Sequence, residues 1–132
     1  MKKFLKNHRI EDFKIGKWLP VFLWAGVIFF FSSLPVQRAT EIYVTDFVVK
    51  KFAHISEYAI LFALTFRAVE KKFQVAYIIT VAYAVTDELH QLFVPGRTAQ
   101  ISDILIFDLA GINIAAYCLW KLQQIHRKKP KN

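Results

Sequence analysis

Four apolar stretches, at 18–34, 52–69, 74–94 and 102–120, dominate this chain, and its polar residues gather at their ends. At about 1.5 Å per residue each stretch makes a helix of roughly 25–30 Å, the thickness of a bilayer's hydrocarbon core. Runs this long exceed ordinary strands and fall in the length range of spanning helices. The sequence therefore predicts an all-α membrane protein, a bundle of four transmembrane helices. Glu70-Lys71-Lys72 forms a tight polar hairpin between the second and third stretches, and Pro20 falls in the first turn of the first helix, where a missing N–H costs little.

Composition agrees with that placement. The chain has 132 residues, enough for one domain, and 55% of them are hydrophobic, with 13 Phe, 5 Tyr and 3 Trp. A soluble domain of this size needs a polar coat, and the sequence does not supply one. The net charge of +8 would suggest nucleic acid in a soluble chain, but the basic residues crowd a 1–17 arm and a 121–132 tail. With both termini inside the cell, only Arg38, Lys50, Lys51 and Arg97 of the Lys and Arg residues fall outside, so the positive-inside rule gives an N-in, C-in bundle over 18–120. The acids lean the other way: Glu11, Asp12 and Glu70 are inside and the rest lie toward the outer face. The basic termini serve topology and attraction to anionic lipid, not nucleic acid. The first stretch is too long for a signal-peptide core and lacks an Ala-x-Ala site. Cys118 stands alone, which excludes an internal disulfide and leaves it as inert packing.

In this topology costly groups converge on the outer end. Lys51, His54, Glu57 and Tyr58 share a broad face of the second helix. In the third, Gln91 is four residues from Asp87 and three from Glu88, so the three share a surface. Pro95-Gly96 suits the centre of a type II turn that ends this helix and presents Arg97 at the mouth. Asp103 opens the fourth helix and Asp108 lies five residues further in. Glu57, Glu88 and Asp108 sit at comparable depth, roughly 8–9 Å inside their helix ends. Facing lipid, each would cost a few kcal/mol or more, so they are expected to line a shared interior or a water-filled pocket.

Each residue also has a plainer role open to it. Asp103 beside Ser102 complements a helix N-terminus, Lys50 and Lys51 anchor at the interface, and Arg67 pairs with phosphate or Glu70. Asp108 shares a face with Gly111 and Ala115 and could hold a close-packed seam. On an α-helix Asp103 and Asp108 point about 140° apart and need no common partner. His90 could face headgroups, and Asp87 could lie exposed at the bundle edge.

Lys51-Phe-Ala-His54-Ile-Ser-Glu57-Tyr58, Glu88-Leu-His-Gln91-Leu-Phe-Val-Pro95-Gly96-Arg97 and Asp103-Ile-Leu-Ile-Phe-Asp108-Leu-Ala-Gly111 together resemble the VanZ-like membrane proteins. The ordered pattern runs over residues 51–111, about half the chain. The resemblance implies a multi-pass protein of the bacterial cytoplasmic membrane, in a family named for a member linked to resistance to teicoplanin, a lipid-tailed glycopeptide. It carries over Lys51, His54, Tyr58, Glu88, Gln91, Arg97, Asp103 and Asp108 as ligand-binding residues, with Gly111 beside them. Asp108 stands where the family often has Asn, and Ala115 where a second Gly often occurs.

Three functions compete. A binding protein would hold a lipid-tailed glycopeptide or a lipid-linked cell-wall precursor, with Arg97 and Lys51 on phosphate or carboxylate and Glu88, Gln91 and Asp103 on hydroxyl, amide or amine groups. An intramembrane enzyme would use Glu88, His54 and Asp108 as catalytic groups, or a metal on Glu57, His54, Glu88 and Asp108. A non-catalytic helper subunit would use the polar groups to fix its fold or a partner interface. No H-E-x-x-H, G-x-S-x-G or phosphate-loop motif occurs, so the residues favour the binder, with membrane lipids around it and no cofactor. Four short spans without an inverted repeat do not support a transporter. The sequence leaves oligomerisation open.

Overall fold

The computed structural model describes residues 2–35, 43–97 and 103–128, all within four helices and their links. Helix α1 spans Lys2–Ser32, α2 Tyr43–Ala68, α3 Phe73–Gln91 and α4 Leu109–Lys128; a π-helical segment, Asp103–Asp108, leads into α4. The four expected helices are present, with three differences in detail. The basic arm is not separate, because α1 begins at Lys2 and continues through it. Pro20 is consequently interior rather than in a first turn. Its missing N–H leaves the Gly16 carbonyl without its i→i−4 donor. The fourth helix starts as a π turn, whose i→i+5 repeat sets positions 103 and 108 one turn apart instead of 140° away.

No helix among the described residues is long and apolar enough to cross a membrane. The second and third apolar stretches carry charges of their own. Helix α2 carries Lys50, Lys51, Glu57 and Arg67, and the 19 residues of α3 include Asp87 and Glu88.

Helix α2 is the centre of the bundle and packs on α1, α3 and α4. Its Tyr58, Leu61, Phe62, Thr65 and Phe66 are buried, a spacing of three and four that marks one continuous stripe. Val21 and Ile28 of α1, Ala76 and Ala84 of α3 and Ile112 of α4 close over it. At one end Phe62, Phe66, Phe73 and Tyr77 form an aromatic cluster, with Phe66 and Phe73 centroids 4.4 Å apart. The outer surface is also apolar: Phe22, Phe30, Phe52 and Ile78 are exposed, and Phe93 is 84% exposed.

The links follow turn chemistry. Helix α2 ends with paired bonds from Lys71 N–H to the Phe66 carbonyl (2.8 Å) and from Glu70 N–H to the Arg67 carbonyl (3.3 Å). That is a Schellman ending, with Glu70 in the left-handed position glycine usually takes. Both Glu70 (φ 57°) and Lys71 (φ 65°) are left-handed. Beyond α3, Pro95 and Gly96 (φ 79°) centre a turn closed by Arg97 N–H on the Val94 carbonyl at 3.1 Å, the type II geometry the sequence predicts.

Candidate functional site

The ends of α1 and α3 meet α2 around Tyr58 in a buried polar network, and Asp87 is its hub. Only 3% of Asp87 is exposed. Its Oδ2 accepts hydrogen bonds from Ser32 Oγ of α1 (2.8 Å), Tyr58 OH of α2 (3.3 Å) and Gln91 Nε2 one turn along α3 (3.1 Å). Its Oδ1 is buried and has no hydrogen-bond partner among the described residues. This overturns the expectation that Asp87 could lie exposed at the bundle edge. The end of α1 reaches into the same space as the end of α3, and Ser32 closes over the carboxylate.

Arg97 extends the network. Its Nη1 donates to Gln91 Oε1 at 3.1 Å, Nη2 to the Phe31 carbonyl at 2.6 Å, and Nε to the Leu34 carbonyl at 3.2 Å. The last carbonyls of a helix have no partner within it, and a cation beside them is further favoured by the helix dipole. Arg97 therefore ties the end of α1 to α3. It relays through Gln91 to Asp87, whereas the sequence suggested a cation waiting at a pocket mouth. His90 is enclosed too: its ring stacks on Phe29 at 4.2 Å, and Nε2 lies 3.0 Å from Ser33 Oγ.

A second pair lies across α2. His54 Nδ1 and Asp108 Oδ1 are 3.0 Å apart, and the Asp108 side chain is 1% exposed. One turn on, Gly111 is pressed against α2. A Cβ there would overlap the Ile55 carbonyl oxygen and lie 3.0 Å from its carbon, so only glycine allows this approach. The expected close-packed seam around Asp108 is thus present, with His54 as the acid's partner. Tyr58, wholly buried, joins the two groups: its ring lies over His54 at 6.3 Å while its hydroxyl reaches Asp87.

The remaining expected residues sort as follows. Glu88 is buried on α3. Lys51 Nζ lies over the Phe107 ring, 4.7 Å from its centre. Glu57 is half-buried and interacts electrostatically with His54, Asp87, Asp108 and Arg97, and its carbonyl accepts Trp24 Nε1 at 3.0 Å. The side chain of Asp103 lies outside the described residues. The alternative metal set of Glu57, His54, Glu88 and Asp108 is not assembled: among the described residues no three such groups could hold an ion together. What the arrangement offers chemically is acceptors. Glu57, Asp87 and Asp108 lie within electrostatic reach of one another, and three of the Arg97 N–H groups are already committed.

Sequence reasoning placed Gln91 and Glu88 here but missed Asp87 as the hub, together with Ser32, Ser33 and Tyr83. Tyr83 OH donates to the Ala25 carbonyl at 2.6 Å, a further tie from α3 to α1. The signal for Asp87 was its i,i+4 relation to Gln91; that for the serines was the polar pair closing an otherwise apolar run.

A family model described as VanZ/LLP1 matches residues 17–124, and the chain belongs to that family. No curated protein and no solved structure matches it.

Proposed function

We propose that this VanZ/LLP1 chain is a multi-pass protein of the bacterial cytoplasmic membrane, with both termini inside and the Asp87 network facing outward. Its apolar exterior around a polar interior supports that placement: Phe22, Phe30, Phe52 and Phe93 are exposed while Asp87, Glu88, Gln91 and Asp108 are buried. Lipid is a favourable solvent for the first set, and the second is tolerated at membrane depth only inside a bundle. Of the charges within α2 and α3, Lys50, Lys51, Glu57, Asp87 and Glu88 then lie toward the outer end and Arg67 at the inner end.

The site binds a lipid-tailed glycopeptide or a lipid-linked envelope component, and so contributes to teicoplanin-type resistance or to envelope homeostasis. The observation that carries this reading is the buried Oδ1 of Asp87, which has no hydrogen-bond partner among the described residues. A buried acceptor left unsatisfied costs about 1–3 kcal/mol, more when charged, and a ligand hydroxyl, amide or amine would recover that cost. Because Arg97 is committed to Gln91 and the end of α1, the ligand group recognised here is a hydrogen-bond donor, not an anion. The test replaces Asp87 by Asn and Glu88 by Gln, scoring membrane abundance and glycopeptide susceptibility together. Normal abundance with lost protection is the expected result; normal abundance with full protection would remove the proposal. Loss of abundance in both variants would assign the network to structure, as the helper-subunit reading requires.

One observation favours a second reading. His54 held by buried Asp108 is the base–orienter pairing used in general-base catalysis. Chemical change in an envelope lipid that disappears in His54→Gln would bring an intramembrane enzyme forward.

A further inference from the structure

At the opposite end of the bundle a groove of about 570 Å³ opens between α1, α2 and α4, beside the turn that joins α2 to α3. Its volume falls in the ~300–1,000 Å³ range of small-molecule sites. Ala63, Phe66 and Leu119 supply an apolar lining, while Lys17, Arg67 and Lys71 stand along the rim. Glu70 is the acid among the lining residues, and Lys17 engages it at 3.6 Å. Arg67 and Lys71 are exposed, and their side chains make no hydrogen bond or ion pair with other described residues. The turn holds Lys71 in place through its N–H bond to the Phe66 carbonyl, despite left-handed backbone at Glu70 and Lys71.

We infer that this groove is a binding site for an anionic phospholipid of the inner leaflet, with the phosphate on Arg67 and Lys71 and an acyl chain along Phe66, Ala63 and Leu119. Each half of the groove accounts for one half of such a molecule. An apolar wall alone would take any lipid chain, and exposed cations alone would take any anion. Their juxtaposition selects an amphiphile with negative charge at its head. Guanidinium engages phosphate oxygens through a fork of N–H donors, and a neighbouring ammonium adds a point charge. With the termini inside, this turn faces the leaflet that carries anionic lipid. The inference rests on the membrane placement proposed above, but not on the outward site or its ligand.

The test uses the full chain extracted in mild detergent. Native mass spectrometry would compare binding of phosphatidylglycerol with that of phosphatidylcholine bearing the same acyl chains. Wild type is expected to retain phosphatidylglycerol preferentially. Arg67→Gln with Lys71→Gln should weaken it by about 30-fold, at the contribution typical of two basic residues near a lipid surface. Lys50→Gln with Lys121→Gln removes the same charge away from the groove and should leave binding unchanged. Ala63→Leu keeps the charge, narrows the groove and should also reduce retention, with helical circular dichroism verifying the fold of every variant. Equal loss in both double variants, equal binding of the two lipids, or displacement by inorganic phosphate alone would each overturn the inference. Release of the chain from membranes by an alkaline wash would instead overturn the membrane placement itself, a separate failure.

Discussion

Gly111→Ala is the sharpest perturbation the bundle offers, because two effects of known size oppose each other there. Helix propensity alone favours alanine inside a helix by about 1 kcal/mol. Contact with α2 opposes it. The added Cβ would lie 3.0 Å from the Ile55 carbonyl carbon and 3.1 Å from its Cα, while overlapping the carbonyl oxygen. Non-bonded carbons rest at about 3.5–4.0 Å, so α4 must withdraw by roughly 0.5–1 Å. Overpacking of this kind costs typically 1–3 kcal/mol. The withdrawal also reaches the polar pair, since His54 precedes Ile55 and Asp108 lies three residues before Gly111. Their 3.0 Å contact would lengthen beyond hydrogen-bond range, losing about 1.5–3 kcal/mol if the bond involves charge. The net expectation is destabilisation of roughly 1.5–5 kcal/mol. Chemical denaturation in detergent, followed by tryptophan fluorescence, measures it directly. Asp108→Asn introduced in both backgrounds adds the decisive comparison. If glycine acts through the His54–Asp108 bond, the asparagine costs stability beside Gly111 and little beside alanine, a coupling of about 0.5–3 kcal/mol. An alanine variant about 1 kcal/mol more stable than wild type, with additive effects at 108, would refute the reasoning.

Three further perturbations test other parts of the fold. Arg97→Lys keeps the charge but cannot span Gln91 and the Phe31 and Leu34 carbonyls at once; amide exchange should accelerate at the end of α1, and unchanged protection there would contradict the cap. Thr65→Val removes a buried hydroxyl that has no partner among the described residues and should raise stability by about 1 kcal/mol in the same denaturation assay. Glu70→Gly should relieve about 1–2 kcal/mol of left-handed strain while losing an ion pair worth about 0–1, so a less stable variant would show that the turn is not strained.

The helices, the turn at Pro95-Gly96 and the glycine seam could all be read from residue order, because each rests on local chemistry. Apolar runs of this length form helices, proline and glycine set turn angles, and a glycine one turn from a buried acid marks close approach. The roles that could not be read depend on what a neighbouring helix presents. Asp87 and Glu88 are adjacent and equally acidic, and only the end of α1 decides that Ser32 meets the first of them. Arg97 is bound largely by backbone carbonyls, which every residue carries, so no side-chain pattern could announce its partners. The π turn before α4 has no local signature either, and with it went the expectation that positions 103 and 108 diverge.

Those tertiary roles explain why the site is built around α2. His54 and Tyr58 are one turn apart on that helix, yet they serve different neighbours: His54 meets Asp108 beside α4, and Tyr58 meets Asp87 on α3. Asp87 is tied in turn to Ser32 of α1 and, through Gln91, to Arg97. One turn of α2 thus stands between Asp87 and Asp108, with the His54 and Tyr58 rings inclined by 27° at 6.3 Å. Rotating α2 to favour one contact would displace the other, since both side chains project from the same rigid turn. Gly111 fixes the distance on the α4 side, and Arg97 fixes the end of α1 on the other. Oδ1 of Asp87 has no hydrogen-bond partner among the described residues, although its carboxylate is held by side chains from three helices at once. Because that oxygen is buried beneath the end of α1, a donor reaches it only after the ends of α1 and α3 part, so binding there includes the cost of opening the network.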